Sequence, residues 1–218
     1  MATGVHLWAE RYTGSLQDVF ALQDQVSRKI IDALTVTLNP AEERALAENE
    51  TSNAAAYELV LRGVRHLNAV DESHYEENNR AKENFQKAID LDSEYARAYA
   101  GLAWTHWNNF TSFNLLGPEK ALALSIARKS IELNNNSLAR RLMAQSHFQS
   151  RMSSGGGRMV YARDYDKALS ELRIAVDLEP NNADAMVELA YTLVYAGKPL
   201  EAEALMTKAR LLNPNYPG

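Results

Sequence analysis

Cysteine is absent from this sequence, which excludes disulfides and thiolate metal sites and leaves the redox compartment unassigned. Proline and glycine are scarce, at six and ten residues among 218. With few β-branched runs, little interrupts the alanine- and leucine-rich stretches, so helix is expected almost throughout and essentially no sheet. No basic cluster offsets the net charge of −5, so the phosphate neutralisation that nucleic-acid binding requires is not supplied, and DNA and RNA are excluded as partners. No apolar run approaches the roughly 20 residues that span a bilayer, so direct membrane insertion is not expected. The N-terminal "MATGVHLWAERY" lacks the charged start and apolar stretch of a signal peptide. What is present, 46% hydrophobic and 23% charged residues, is the composition of a globular chain with a real core.

One phrase recurs along the chain: "LDSEYAR" from Leu91, "LNNNSLA" from Leu133, "LEPNNAD" from Leu178 and "LNPNYPG" from Leu212. Upstream of each lies a second pattern, alanine, a bulkier residue four positions on, a small residue three further, and proline or its substitute five beyond that. The sets are Ala81, Phe85, Ala88, Ser93; Ala123, Ala127, Ser130, Asn135; Ala168, Leu172, Ala175, Pro180; and Ala202, Met206, Ala209, Pro214. Spacings of four and three place the first three of each set on one helical face, where small side chains let a neighbouring helix approach. Proline then stops the helix and the next begins.

The 34 residues between Pro180 and Pro214 divide into a helix, a turn at Gly197 and Lys198, and a second helix. With Ala190, Gly197, Ala202, Ala209 and Pro214 in place, this unit resembles the tetratricopeptide repeat. The resemblance implies an all-α solenoid of stacked helical hairpins, at about 53–93, 96–135, 138–180 and 183–214, with 215–218 opening a further, truncated repeat. The third unit matches poorly in its first half, "LARRLMAQSHFQ". Closing positions 93, 135 and 180 lie 42 and 45 residues apart, so insertions are expected at "NNFTSFNLLGP" and "SRMSSGGGRMVYARD". A hairpin of this kind cannot cover its own apolar face, so hairpins stack and leave a concave surface lined by the first helix of each pair. By the repeat's pattern that surface would include Tyr57, Val60, Val64, Arg97, Trp104, Trp107, Asn108, Asp184, Tyr191 and Tyr195. Such an aromatic face suits a protein or peptide partner; the alternative is that Trp104 or Trp107 packs beneath "FTSFNLLG". Members of the family that hold a C-terminal carboxylate do so with basic and amide side chains at first-helix positions that here read Ala100, Gly101, Leu142, Met143, Val187 and Glu188, which argues against that ligand.

Residues 1–50 stand outside the repeats. "LWAERY" followed by "DVFALQDQVSRKI" resembles the end of a TolB-like domain, which precedes tetratricopeptide repeats in class III nucleotidyl cyclases and in winged-helix transcription regulators of bacteria. On that resemblance Val5 to Tyr12 is a strand without its sheet, residues 16–38 form a helix, and both chain ends are cuts in a longer protein. The helix's apolar stripe of Leu22, Val26, Ile30 and Leu34 is expected to pack on the repeats or on a second copy. Leu205, Met206, Leu211 and Leu212 at the other end are expected to support a weak homodimer.

Nothing in the sequence forms a catalytic constellation, a cofactor site or a metal site. His66 and His106 fall on the same repeat position and read as packing residues; His6, His74 and His147 share no helical spacing. "SSGGGR" lacks the lysine ending of a phosphate loop. The chain therefore reads as a non-catalytic protein-interaction scaffold, or alternatively as an arm regulating a cyclase or winged-helix domain on its own parent. The expected compartment is the cytoplasm, or the periplasm if the parent carries a transmembrane helix upstream.

Overall fold

The computed structural model describes residues 19–34, 50–69, 74–112, 118–148, 151–153, 159–161 and 163–214. The expected strand at Val5 to Tyr12 and the ends of the expected 16–38 helix lie outside the described residues. Helix α1 spans Val19–Leu34, and four hairpins follow: α2 (Ala54–Leu67) with α3 (His74–Leu91), α4 (Ala96–Thr111) with α5 (Glu119–Leu133), α6 (Ser137–Phe148) with α7 (Tyr165–Leu178), and α8 (Ala183–Tyr195) with α9 (Pro199–Leu212). Each helix packs on its hairpin partner and on the next hairpin, giving an all-α solenoid.

The recurring phrase is the joint. The Asn136 and Asn182 side chains accept from the backbone N–H groups of Ala139 and Ala185 at 2.9 and 3.0 Å, satisfying donors that the first turns of α6 and α8 leave open. Asn53 does the same for α2. In "LDSEYAR" the capping place is taken by Tyr95, which supplies no side-chain cap; its ring is buried in the core instead. The last hairpin turns at Gly197, with φ of +78°, a left-handed conformation that favours glycine, and Pro199 starts α9 where no N–H is needed.

The repeated small residues lie at the helix crossings. Ala81, Ala88, Ala123, Ala127, Ala168, Ala175, Ala202 and Ala209 are all buried. Phe85, the bulky member of the first set, is fully enclosed between α2 and α4: a Cβ on Gly63 would stand 2.7 Å from its ring, and one on Gly101 2.3 Å. Those glycines are the space the ring fills. Ser130, standing where the other sets have alanine, donates to Ala96 O at 2.7 Å, so its buried hydroxyl is satisfied.

One expectation needs correction. The second insertion contains a short antiparallel pair, β1 (Arg151–Ser153) and β2 (Met159–Tyr161), with Met152 opposite Val160. Val160 and Tyr161 favour extended backbone, and pairing satisfies groups that a loop would leave to water. Helix α1 touches the solenoid through Phe20, whose ring meets Tyr57 of α2 edge-on at 5.4 Å. Its stripe is only partly covered there: Leu22 and Val26 are half-buried and Ile30 is exposed.

Candidate protein-binding groove

The first helices of the hairpins, α2, α4, α6 and α8, touch one another in sequence and line one face. A cleft of about 370 Å³ opens on it. Val64 and Leu67 from α2, Trp104 from α4 and Leu138 from α6 form its apolar part; Asn108, Asn136 and Asn182 supply amides; Arg97, Arg141, Glu50, Glu179 and Asp184 supply charge. Trp104 is held rather than loose: its indole N–H donates to Leu138 O at 2.9 Å, and the Arg141 guanidinium stands 5.9 Å over the ring, within cation–π range.

Both arginines are already paired inside the protein. Arg141 donates to Glu188 Oε1 at 2.7 Å, with Asp184 at 3.8 Å. Burial works against its charge, and the Glu188 carboxylate beside it outweighs that and strengthens it. Arg97 lies 3.2 Å from Glu50, which also accepts from the Tyr95 hydroxyl at 3.3 Å. Burial, with the nearby Glu50 charge, pushes that hydroxyl well above its usual value. With the arginines neutralised, the carboxylates of Glu179 and Asp184 leave the cleft acidic.

Beneath the cleft a polar chain ties three helices together. Asn108 donates to Asn78 Oδ1 at 3.1 Å, and Asn78 donates to Thr105 O at 3.0 Å and to Asn109 Oδ1 at 2.9 Å. Asn109 reaches Glu119 at 3.4 Å, and His106 Nδ1 meets the same carboxylate at 2.6 Å. Burial pushes the Glu119 carboxyl up, but these two hydrogen bonds outweigh it and hold it below the usual carboxylate range. His66 repeats the arrangement one hairpin earlier, with Glu77 at 2.5 Å. The two histidines thus clamp each hairpin's second helix. Their partners, Glu77 and Glu119, open the second helices α3 and α5, and an acid in a helix's first turn is the signal that could have pointed to them.

Of the residues expected on the concave face, Val64, Arg97, Trp104, Asn108 and Asp184 line the cleft. Trp107 and Val60 do not. Trp107 is 2% exposed and Val60 1%; Trp107 packs with Ala103, Ala123, Ala127 and Leu142 and lies 5.5 Å from Phe110. Helix α4 is contacted by α2, α3, α5 and α6, so a residue three positions after Trp104 is carried into the core. Tyr57 is engaged by Phe20. Tyr191 and Tyr195 are exposed and sit with Phe148, at ring distances of 5.8 and 5.5 Å. Arg141 and Phe148 went unrecognised because their unit matches the repeat poorly. The spacing Leu138, Arg141, Gln145, Phe148, which shares one helical face, was the signal that could have found them.

Among the described residues no helix is long and apolar enough to cross a membrane, and no group of acidic and histidine side chains converges as a metal site.

Residues 159–217 match the Tetratricopeptide repeat family. A Rhizobium meliloti (strain 1021) protein called "Putative adenylate cyclase 3" is 32% identical over 141 residues, covering 62% of this chain and 23% of its own length. The chain thus spans about a quarter of that relative. TTC0263, a thermophilic TPR protein of Thermus thermophilus, aligns over 93% of both chains with a TM-score of 0.53 at 22% identity, which speaks for the fold. The recurring joints, the stacked hairpins and these likenesses agree on a tetratricopeptide-type solenoid, with the family match itself lying in the last part of the chain.

Proposed function

We propose that this chain is a non-catalytic interaction scaffold that binds an extended segment of a protein partner along its concave face. The observation that carries the reading is the cleft itself: apolar side chains around a fixed indole, with the Asn108 amide, oriented by its bond to Asn78, offering its oxygen to a peptide N–H. Its arginines are paired with carboxylates, so they are poor candidates for nucleophile activation or proton transfer. Peptides selected on the protein from a random displayed library test the reading. Trp104→Ala and Asn108→Ala are expected to weaken a selected peptide by about tenfold or more each, the size of an interface anchor. Selected peptides indifferent to both changes would refute it.

A second reading, in which the segment bound belongs to the same parent protein, is favoured by the relative whose name is that of a cyclase and which extends far beyond the matched region. On that reading the repeats form a regulatory arm, and a catalytic domain encoded beside them would bind the isolated arm in trans.

A further inference from the structure

Asn108, Asn136 and Asn182 all line the cleft, but the last two are spent inside the protein. Their oxygens cap α6 and α8; Asn136 donates to Ser130 Oγ and Asn134 O, and Asn182 to Glu179. Trp104 has one N–H, and Leu138 O takes it. Asn108 differs. An N–H of its amide goes to Asn78 Oδ1 at 3.1 Å, while its oxygen takes no hydrogen bond from any described residue and is not enclosed.

That orientation is imposed from below. The oxygen of an amide only accepts and its nitrogen only donates, so neighbours that can do no more than accept decide which way it points. Asn78, on α3 and 2% exposed, has such neighbours at its nitrogen: the Thr105 carbonyl at 3.0 Å and Asn109 Oδ1 at 2.9 Å. A backbone carbonyl has no proton to give, so Asn78 cannot turn over. Asn109 is held in the same sense from its far side, because its own nitrogen faces the Glu119 carboxylate at 3.4 Å, ionised at neutral pH. With acceptors at both ends, the oxygen of Asn78 is left for Asn108, and Asn108 must meet it with N–H. Turned over, Asn108 would set two oxygens against each other and leave a buried acceptor unpaired.

We propose that Asn78 is a positioning residue of the groove: by locking the Asn108 amide it fixes a hydrogen-bond acceptor in the cleft, and the partner segment is selected for a main-chain N–H at that point, which excludes proline there. This rests on the groove reading and adds to it the residue that sets the sense of one bond and the selectivity that follows.

The probe is a library-selected peptide that binds the full chain, compared with analogues in which one backbone N–H at a time is replaced by an ester oxygen. One ester is expected to weaken binding about fivefold, since it removes a hydrogen bond and sets an oxygen opposite Asn108 Oδ1. To Asn108→Ala the same ester should bind within about twofold of its parent amide, the coupling that assigns the bond to this pair. In Asn78→Leu, Asn108 is free to turn and offer N–H to the ester oxygen, so the penalty should fall to about twofold while the amide peptide still needs Trp104. A merely structural role for Asn78 would change stability without changing this selectivity. Asn78→Ser, which keeps a small polar group at the site, is the companion should the leucine variant not fold. In the unmodified chain the carbon-13 signal of the Asn108 carboxamide should move downfield with the amide peptide and not with the ester. An ester penalty as large in Asn108→Ala or in a folded Asn78 variant, or an Asn108 signal that treats amide and ester alike, overturns the proposal. Peptides indifferent to both Trp104→Ala and Asn108→Ala sink the groove reading itself, whereas Trp104-dependent peptides without an Asn108-linked ester penalty sink only the role given to Asn78, so the two failures are distinguishable.

Discussion

In the first two hairpins the interior is built around enclosed rings, Phe85, Tyr95 and Trp107, with Gly63 and Gly101 cut away to admit the first and an amide–carboxylate chain from Asn78 to Glu119 alongside. In the last two, the position equivalent to Phe85 is Leu172, packed with Leu169, Leu189 and Leu193, and the aromatic residues have moved outward to Phe148, Tyr191 and Tyr195. The same hairpin plan thus places its rings inside at one end and on the concave face at the other. The enclosed rings fix shape; the exposed ones are available for contact.

Changes that empty the enclosed positions should be the most damaging. Phe85→Ala and Trp107→Ala are each expected to cost about 3–5 kcal/mol in urea unfolding, transfer and cavity terms together. Trp104→Ala, three residues from Trp107 but partly exposed, should cost far less stability and instead reduce partner binding. Comparable losses at Trp104 and Trp107 would break the comparison. Gly101→Ala is next: the added carbon would collide with an enclosed ring, and about 1–3 kcal/mol of overpacking cost is expected. Tyr191→Ala and Tyr195→Ala, at exposed rings, should leave the unfolding midpoint nearly unchanged.

Acid should act on the first region. The folded Glu119 carboxyl lies below its ordinary value of 4.5, so its stabilising contribution is present above that value and is lost as pH falls through the lowered one. Unfolding followed between neutral and strongly acid pH should show Glu119→Gln with a shallower acid loss than the unmodified chain; an identical slope would remove Glu119 from the account.

The smallest effect expected is self-association. Leu205 and Met206 are packed against the last hairpin's own core, which corrects the expectation that they were available. Leu200 and Leu211, 84% and 79% exposed, remain, as does Leu212 at 41%. Two such leucines from each copy, at about 1.5–3 kcal/mol per side chain, compete with an association cost of about 4–15 kcal/mol. Light scattering should therefore show association only at high micromolar concentration, abolished by Leu211→Glu; a dimer indifferent to that change would point to α1.

The fold was legible because its signals are local. Alanine spacing marks helix crossings, and "LNNNSLA" and "LEPNNAD" carry the caps of the helices they open. The groove was half legible. Trp104, Asn108 and Arg97 follow from the repeat's pattern, whereas the burial of Trp107 depends on how many helices surround α4, which periodicity along one helix does not report. Arg141 and Glu188 meet across two helices 47 positions apart in sequence, and only packing brings them together. The Gly63–Phe85–Gly101 fit is likewise a three-helix fact.

The central claim is that partners bind the concave face. The most direct measurement is the backbone amide chemical-shift footprint of a library-selected peptide on the whole chain. The account predicts perturbations on α2, α4, α6 and α8, centred on Trp104 and Arg141 and extending toward Tyr191; a footprint confined to α3, α5, α7 and α9 would contradict it.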